Sequence, residues 1–350
     1  MAQVVKLALV GFGRVGRWVA WDLAERGRRI EARYGVRLVL ESVITSRGAL
    51  HRADGLPMDL FRSERLRDHW VPLEEFGWPV DRSRAGLEGV LGSGAQVLIE
   101  ATPTDLESGQ PGLDHALAAL GRGIHVVFLN KGPLVVAWRR LREVAGGSGA
   151  RIKAAGATAA ALPAMDLGDW CLAGARIELI EGILNGTTNF ILTRMEEGMD
   201  RAAALAEAQR RGIAEANPRL DLEGWDTAAK LLILANLLME AELELQEVPV
   251  EGIQTLTAEE VRAARTRGEV VKLLGRAVRR DSRVEAAVRP VVLPVDHPLA
   301  GVRETTKAVR LVSDLMGELT VIGGASSPAA AAAAAVKDVI NLAREGAVGA

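Results

Sequence analysis

One stretch of the chain, residues 212–230 (GIAEANPRLDLEGWDTAAK), combines four acidic residues with a single lysine. An Asn-Pro pair predicts a loop in its first part, and the apolar residues that follow predict a helix from about Trp225. Asp226 and Lys230 then lie one turn apart on one helix face. The helix dipole and partial burial would lower the pKa of Lys230 toward the range useful for proton transfer. We therefore predict a general acid or base, Lys230, oriented by Asp226; the alternative is a solvated ion pair worth roughly 0.3 kcal/mol.

A glycine-rich turn near the start of the chain has the spacing G-x-G-x-x-G. It follows an apolar strand predicted over residues 6–10 and precedes a helix predicted over residues 14–27, with Gly27 as its end. The first glycine allows a tight turn, the second admits a pyrophosphate and the third lets the helix pack on the strand. The residues predicted to bind a dinucleotide here are Gly11, Phe12, Gly13, Arg14, Val15 and Gly16.

The end of the second predicted strand bears on the choice of dinucleotide. NAD enzymes of this type place an acidic residue about 20 residues after the glycines, where it holds the ribose diol. Here the strand ends in Thr45, Ser46 and Arg47, while Glu41 comes too early. A hydroxyl followed by arginine suits a 2′-phosphate, so Ser46 and Arg47 favour NADP(H), with NAD(H) still possible. The alternative for Arg47 is a solvated loop cation.

Two further strands end in polar residues that a ligand of such a sheet would meet, because ligands bind at the carboxyl ends of parallel strands. One end reads EATPT and includes Thr102; the other reads NKGP and includes Lys131. The chain has only seven lysines, and Lys131 follows an apolar strand where the nicotinamide should lie. We predict a functional role for Lys131 over a surface lysine.

Composition restricts the class of protein. The chain has 350 residues, of which 49% are hydrophobic and 25% charged, with a formal net charge of -2, which excludes a disordered chain. The charge favours neither nucleic acid nor an anionic membrane, so we expect a small-molecule partner. No apolar run is long enough to span a membrane, and the start does not resemble a secretory signal. The single cysteine, Cys171, excludes an internal disulfide, so we expect a reducing, cytoplasmic setting.

The order of predicted elements indicates an α/β fold with a Rossmann-type doubly wound parallel sheet. We assign residues 1–146 to a dinucleotide-binding domain that a C-terminal helix, residues 328–350, completes. The sequence GGSG at 146–149 is interpreted as a linker, and residues 48–82 as irregular. Residues 147–327 are assigned to a second α/β domain for catalysis and dimerisation, with a long helix over 225–245.

Five strings in order along the chain, GFGRVG, EATPT, NKGPL, EGILNGTTNFIL and AEANPRLDLEGWDTAAK, closely resemble homoserine dehydrogenase. The resemblance covers almost the whole chain. It implies reduction of L-aspartate 4-semialdehyde to L-homoserine with NADPH or NADH, on the route to threonine, methionine and isoleucine. It also implies a Rossmann domain, an α/β catalytic and dimerisation domain, and a homodimer.

The resemblance assigns roles to individual residues. Lys230 matches the family's proton-transfer lysine, Asp226 its partner and Lys131 the second active-site lysine. Glu215 matches the carboxylate that holds the substrate amino group, and Asp221 is an auxiliary carboxylate. The segment that lies between cofactor and substrate in the family is matched here by Asn185, Gly186 and Thr187.

The sequence departs from the family pattern at several points. Many members bind sodium through a glutamate and nearby carbonyls, but an alanine, Ala155, stands in the glutamate's place. The carbonyls of Thr158, Ala160 and Leu162 remain, yet the only charge is lost, so we expect no bound metal. The glycine-rich motif near the end, G-x-G-A-G in the family, reads GGASS at 323–327, and the usual tyrosine before the loop glutamate is Ile213.

Two alternative functions stay open on the sequence alone. One is an NADP-dependent reductase of another small aldehyde or keto acid, which Ile213 and the altered 155–163 segment permit. The other is a non-catalytic nucleotide-sensing protein, against which the presence of both Lys131 and Lys230 argues. The length leads us to expect a short, monofunctional form without the regulatory domain of roughly 80 residues that many members append.

Overall fold

The computed structural model describes residues 2–324 and 326–348, so Ala325 of the late glycine-rich motif and the last two residues of the predicted C-terminal helix lie outside the described residues. The chain forms two compact units. The first contains the residues through Ala157 together with those from Ser327 onward, and the second is Thr158–Ser326.

The first unit is built on a seven-stranded sheet. Its strands are β1 (Gln3–Val10), β2 (Val36–Thr45), β3 (Gly48–His51), β4 (Val80–Asp81), β5 (Val97–Glu100), β6 (His125–Phe128) and β7 (Ile152–Lys153). They lie in the order β4-β3-β2-β1-β5-β6-β7. The five strands β2, β1, β5, β6 and β7, which are neighbours in this order, pair in parallel. Beside β2 the strands β3 and β4 add an antiparallel edge. The predicted doubly wound α/β fold is confirmed. The prediction that residues 48–82 are irregular is wrong at both ends of that segment, where β3 and β4 extend the sheet beyond β2.

Helices separate these strands: α1 (Arg14–Tyr34), α2 (Glu64–Asp68), α3 (Gly86–Leu91), α4 (Gly112–Leu120), α5 (Gly132–Val136) and α6 (Trp138–Ser148). The prediction that α1 ends at Gly27 is wrong. The helix continues to Gly35, whose φ of 69° lets its N–H close the last turn on the carbonyl of Glu31. One interior glycine costs only about 1 kcal/mol, which the buried face of α1 outweighs.

The interpretation of residues 146–149 as a linker is also wrong. Gly146 and Gly147 lie inside α6, whose Leu141 and Ala145 are buried, and Gly149 ends the helix with a φ of 75°. The chain then adds β7 to the edge of the sheet beside β6. For this reason the first unit extends through Ala157 instead of ending at 146.

The second unit contains a five-stranded sheet. Its strands are β8 (Ile177–Ile183), β9 (Glu269–Arg280), β10 (Arg283–Pro294), β11 (Lys307–Ser313) and β12 (Gly317–Gly323). They lie in the order β10-β9-β8-β11-β12, and each pair of neighbours is antiparallel. The helices of this unit are α7 (Ala164–Asp166), which continues as a π-helical turn (Leu167–Cys171), α8 (Gly186–Glu196), α9 (Arg201–Arg210), α10 (Arg219–Leu222), α11 (Trp225–Leu238) and α12 (Ala258–Thr266).

The helix α11 begins at Trp225, as the sequence predicts, but it does not reach residue 245. It ends at Leu238 because the side chain of Asn236 bonds the N–H and the carbonyl of Leu243 and so turns the chain back. Most of α11 is buried on all sides against the sheet, which fits its continuous apolar sequence.

The last helix, α13 (Pro328–Arg344), returns to the first unit. Its start is capped by Ser327, whose hydroxyl accepts the N–H of Ala330. Val336, Val339 and Leu342 join the core that β1 and α1 form. Among the described residues no helix is long and apolar enough to cross a membrane.

Candidate active site

The glycine turn of the first unit has the geometry that a pyrophosphate requires. Gly11 has a φ of 91°, and a Cβ there would overlap the backbone of Ala101. A Cβ on Gly16 would overlap the carbonyl of Gly11, so this glycine lets α1 pack against the turn. By contrast, a Cβ on Gly13 would meet nothing within 4 Å, which leaves the backbone at the start of α1 open to a ligand.

A cavity of about 780 Å³ lies at the carboxyl ends of the parallel strands, within the size range of small-molecule sites. Of the residues predicted to bind the cofactor, those that line it are Gly11, Phe12, Gly13, Arg14, Val15, Ser46, Arg47, Thr102 and Lys131. Gly16 packs beneath the turn, and Gly186 belongs to the second unit. The sequence did not indicate the contribution of residues 70–74, since that stretch has no helical or strand periodicity.

The tip of β2 presents its polar residues through a tight hairpin to β3. The Thr45 hydroxyl donates to the carbonyl of Gly48 and accepts the N–H of Arg47, which leaves Ser46 and Arg47 exposed at the cavity. Glu41 is buried, and its carboxylate accepts bonds from the hydroxyl of Ser93 (2.9 Å) and the N–H of Gly94 (2.8 Å). These bonds hold the carboxylate of Glu41, the one acidic residue of β2, in the interior of the sheet.

A buried polar network supports the two strand ends that carry Thr102 and Lys131. The Thr102 hydroxyl donates to the fully buried carboxylate of Glu100 and accepts a bond from the Asn130 amide at 3.2 Å. The Asn130 side chain also accepts the N–H of Gly132 at 2.9 Å, so it holds the turn in which Lys131 stands. Glu100 and Asn130 belong to the strings EATPT and NKGP, but the sequence did not predict their supporting role, although a charged residue at the end of a buried strand is a usable signal.

In the second unit the predicted lysine–aspartate pair forms. The Lys230 Nζ lies 2.6 Å from the Asp226 Oδ2, and each side chain is only 15% exposed, which rules out the solvated ion pair. Lys230 also donates to the carbonyl of Leu184 at 3.0 Å. An ammonium has three donors, so these two bonds fix its direction and leave one N–H for another acceptor.

Asn185 connects this pair to a second carboxylate. Its amide donates to the Asp221 Oδ1 at 2.7 Å and to the Asp226 Oδ2 at 2.8 Å. Burial raises the pKa of Asp221, and the charge of Asp226 adds to this effect, while Asn185 and Lys230 oppose it. The cluster is therefore a partly buried group of two carboxylates with one lysine.

The start of α8 positions the segment matched to the family's substrate region. Asn185 caps the helix by accepting the N–H of Thr188, and a Cβ on Gly186 would lie 2.8 Å from the carbonyl of Thr305. Thr187 is buried and donates to the carbonyl of Ile213. Glu215 is exposed and follows on that loop; the bond described for it joins Gln209 to its backbone carbonyl, so its substrate role remains a prediction.

A second lysine of this unit, Lys307, was not among the site residues predicted from the sequence. Lys307 is only 3% exposed, and its Nζ donates to the carbonyl of Ala159 at 2.8 Å. Burial, followed by the charge of Lys230, lowers its pKa to about 8, and Asp226 opposes the shift. The scarcity of lysine in the sequence was the available signal.

With the Lys307 ammonium in place, the segment that the sequence compares with a sodium site does not fit a metal ion. Residues 155–163 contain no acidic side chain, and the Lys307 ammonium already donates into this segment, between Thr158 and Ala160. Across the part of the chain that the structure describes, no group of three or more His, Cys, Asp or Glu residues could hold a metal.

A dinucleotide turn below a cavity in one unit and an oriented lysine–aspartate pair in the other define a dinucleotide-dependent oxidoreductase. The family model described as homoserine dehydrogenase matches residues 163–340. The homoserine dehydrogenase of Methanocaldococcus jannaschii is 35% identical, over 96% of this chain and 98% of that one. The NAD(+)-dependent homoserine dehydrogenase of Pseudomonas canavaninivorans is 36% identical over 96% of each chain. The crystal structure of a putative homoserine dehydrogenase from Archaeoglobus fulgidus matches with a TM-score of 0.83 and 31% identity, over 97% of this chain and 99% of that one. The chain belongs to the homoserine dehydrogenase family.

Proposed function

We propose that the chain reduces L-aspartate 4-semialdehyde to L-homoserine, with Lys230 as the proton donor. The observation that carries the assignment of roles is the Lys230 ammonium, which Asp226 and the carbonyl of Leu184 hold in place. An ammonium has three donors, so one N–H remains for the substrate oxygen. In the reduction the aldehyde carbon gains a hydride and its oxygen gains a proton, and the oriented ammonium supplies that proton.

The first unit holds the dinucleotide in this proposal. The open backbone at Gly13 and the start of α1 receive the pyrophosphate, while Thr102 and Lys131 stand at the strand ends expected for the nicotinamide. When bound, the reduced dinucleotide supplies the hydride. The network of Glu100 and Asn130 keeps both residues in place, because each of its bonds fixes one of the two strand ends.

The second unit holds the amino acid part of the substrate. Glu215 and Asp221 offer carboxylates to its ammonium group, and Gly186 and Thr187 shape the backbone beside them. The raised pKa of Asp221 fits this role, because a bound cation lowers the cost of its charged form. In the reverse direction neutral Lys230 accepts the hydroxyl proton.

NADP(H) is the proposed cofactor, with NAD(H) as the competing choice. The support is the exposed Ser46 and Arg47 at the cavity and the engagement of Glu41 by Ser93 and Gly94. A relative from Pseudomonas canavaninivorans is named as NAD(+)-dependent, so the preference has to be measured on this chain.

The deciding experiment compares substrates at fixed NADPH. The rate at which NADPH absorbance falls should be higher with L-aspartate 4-semialdehyde than with other small aldehydes or keto acids. In the reverse assay, homoserine and NADP+ should form NADPH. Equal rates with unrelated aldehydes would instead support a general reductase. Binding of NADPH with no turnover of any of these substrates would indicate a nucleotide sensor.

A homodimer is proposed as the working assembly. The edge strand β12 carries an exposed Ile322, and Leu315 and Met316 are exposed in the turn before it. An open strand edge with exposed apolar residues beside it favours pairing with a second copy. Light scattering across the micromolar range should give the mass of two chains, and a monomer throughout would contradict the proposal.

A further inference from the structure

The second unit contains a buried ammonium that the proton transfer does not use. Lys307, the first residue of β11, is 3% exposed, and its Nζ donates to the carbonyl of Ala159 at 2.8 Å. Burial of a charged lysine is unfavourable unless hydrogen bonds and nearby opposite charges compensate for the lost hydration.

Strand register places the backbone of Lys307 opposite that of Leu184, the residue whose carbonyl contacts the catalytic lysine. Ala308 pairs with Ile183 on the antiparallel strand β8, so Lys307 and Leu184 are the next residues along the two strands. The carbonyl of Leu184 is the one that accepts a bond from Lys230. The charges of Lys230 and Asp226 both act on Lys307, which agrees with this placement.

The segment that Lys307 holds needs a fixed geometry. Ala160 has a φ of 53°, a conformation that is unfavourable for alanine and persists only where its surroundings impose it. Next to it, a Cβ on Gly324 would lie 2.7 Å from the backbone nitrogen of Leu162, so the backbones approach closely. The segment has carbonyls but no carboxylate of its own to attract a cation.

We infer that the Lys307 ammonium is the resident cation of this site. It holds the 158–163 segment by the Ala159 carbonyl, as a monovalent metal ion would, and it makes such an ion unnecessary for stability and activity. Lys307 is thus a positioning residue that acts through this segment and through the charges of Lys230 and Asp226. The inference rests on the proposed function only for its effect on rate.

A second buried lysine provides a matched control. Lys272 is 1% exposed, and its Nζ donates to the carbonyl of Val302 at 2.5 Å. Its pKa is likewise lowered to about 8 by burial, but the charges that act on it are those of Glu196 and Arg303. Replacement of Lys272 therefore removes a comparable ammonium at a place away from the catalytic pair.

The test measures the response to monovalent cations of the wild type, Lys307→Met, Lys307→Arg and Lys272→Met. Sodium, potassium and choline chloride are exchanged at constant ionic strength. Thermal unfolding is followed without substrate, and kcat and KM for the semialdehyde are measured separately. For the wild type, and likewise for Lys307→Arg, we expect the unfolding temperature, kcat and KM to be the same in all three salts. Lys307→Met should lose about tenfold or more in kcat/KM, because a charged hydrogen bond is removed.

The decisive result is cation-specific stabilisation. Sodium or potassium, but not choline, should raise the unfolding temperature of Lys307→Met and recover part of its rate, whereas Lys272→Met should show no such specificity. A wild type activated or stabilised by sodium over choline would overturn the inference, and so would a Lys307→Met protein that responds equally to the three salts. The wild-type measurement stands even if that variant does not fold. Failure of the proposed function would appear as absent semialdehyde turnover in the wild type, while the unfolding data would still report on Lys307.

Discussion

At the scale of single residues, the site depends on how each polar group is held. The Lys230 ammonium has one charged and one neutral acceptor, Asp226 and Leu184, so its direction does not depend on a single bond. Asn185 bridges Asp221 and Asp226 and keeps two like charges at fixed places. Such groups lose little freedom when substrate binds, which is the condition for efficient proton transfer.

Replacement of the lysine should separate chemistry from cofactor binding. We expect Lys230→Ala to lower kcat by about 10³ or more, because the proton donor is lost. The Kd for NADPH, measured by fluorescence titration, should stay unchanged. Arg219→Ala is the control, since Arg219 forms an exposed pair of the same i,i+4 spacing with Glu223 at 2.8 Å. A Lys230→Ala enzyme within tenfold of the wild-type kcat would disprove the role.

The hairpin tip of β2 should decide between the two dinucleotides. Arg47→Ala should weaken NADPH binding by about tenfold or more and leave NADH binding nearly unchanged, because a charge-assisted bond to the 2′-phosphate is lost. Arg37→Ala is the control, since Arg37 is exposed and pairs with Glu31 outside the cavity lining. Dissociation constants for both cofactors at one ionic strength give the answer, and an equal loss for both would show that Arg47 does not bind the phosphate.

At the scale of elements, the glycines of α1 and of the turn before it have different structural roles. Gly16 lies against the backbone of Gly11, whereas Gly27 is in the helix interior with open space where a Cβ would stand. Packing requires the first glycine, whereas the second is half-buried and only weakens the helix. Replacement of glycine by alanine should therefore change the free energy of unfolding in opposite directions at the two positions.

This contrast is testable by urea unfolding. Gly27→Ala should raise the free energy of unfolding by up to about 1 kcal/mol, because alanine favours the helix. Gly16→Ala should lower it and also weaken NADPH binding, since the added methyl group overlaps the carbonyl of Gly11. A neutral effect at Gly16 would show that the close approach of turn and helix is not needed.

The buried lysine of β9 predicts a pH dependence of stability. Burial lowers the pKa of Lys272 from 10.5 to about 8, so between these values the unfolded chain binds more protons than the folded one. Stability conferred by Lys272 should therefore rise with pH across this window. Relative to Lys272→Met, the wild type should gain on the order of 2 kcal/mol from about pH 8 to pH 10. If urea unfolding gives a difference in unfolding free energy between the two proteins that does not change with pH, the lowered pKa of Lys272 is contradicted.

At the scale of the whole molecule, the two ends of the chain meet in one core. The helix α13 follows the entire second unit in sequence, yet Val336, Val339 and Leu342 pack with residues of β1 and α1. The dinucleotide unit is thus completed only after the second unit has been synthesised. Its stability therefore depends on the packing of α13 against α1, two helices that the whole second unit separates in the sequence.

Truncation of a core residue in the last helix tests this dependence. Leu342→Ala should lower the free energy of unfolding by about 2–5 kcal/mol, because Leu342 is fully buried and a cavity is left. Val4→Ala, at a β1 position that is 43% exposed, should change it by less than about 0.5 kcal/mol. Equal effects of the two variants would show that α13 does not contribute to the core.

The sequence by itself determined the features that depend on short spacing. The glycine turn, the parallel strands around it and the i,i+4 pair of Asp226 and Lys230 follow from local periodicity and from the family resemblance. Local propensity is weak, however, and it failed where packing opposed it, as at the glycines of α6 and at the end of α11.

Only the tertiary structure decided which distant residues meet. The contact of Lys307 with Ala159, the bridge of Asn185 to Asp221 and the network of Glu100 each join residues far apart in the chain or hidden in apolar strands. No local pattern encodes such contacts, because they arise when sheets and helices pack and buried polar groups must find partners.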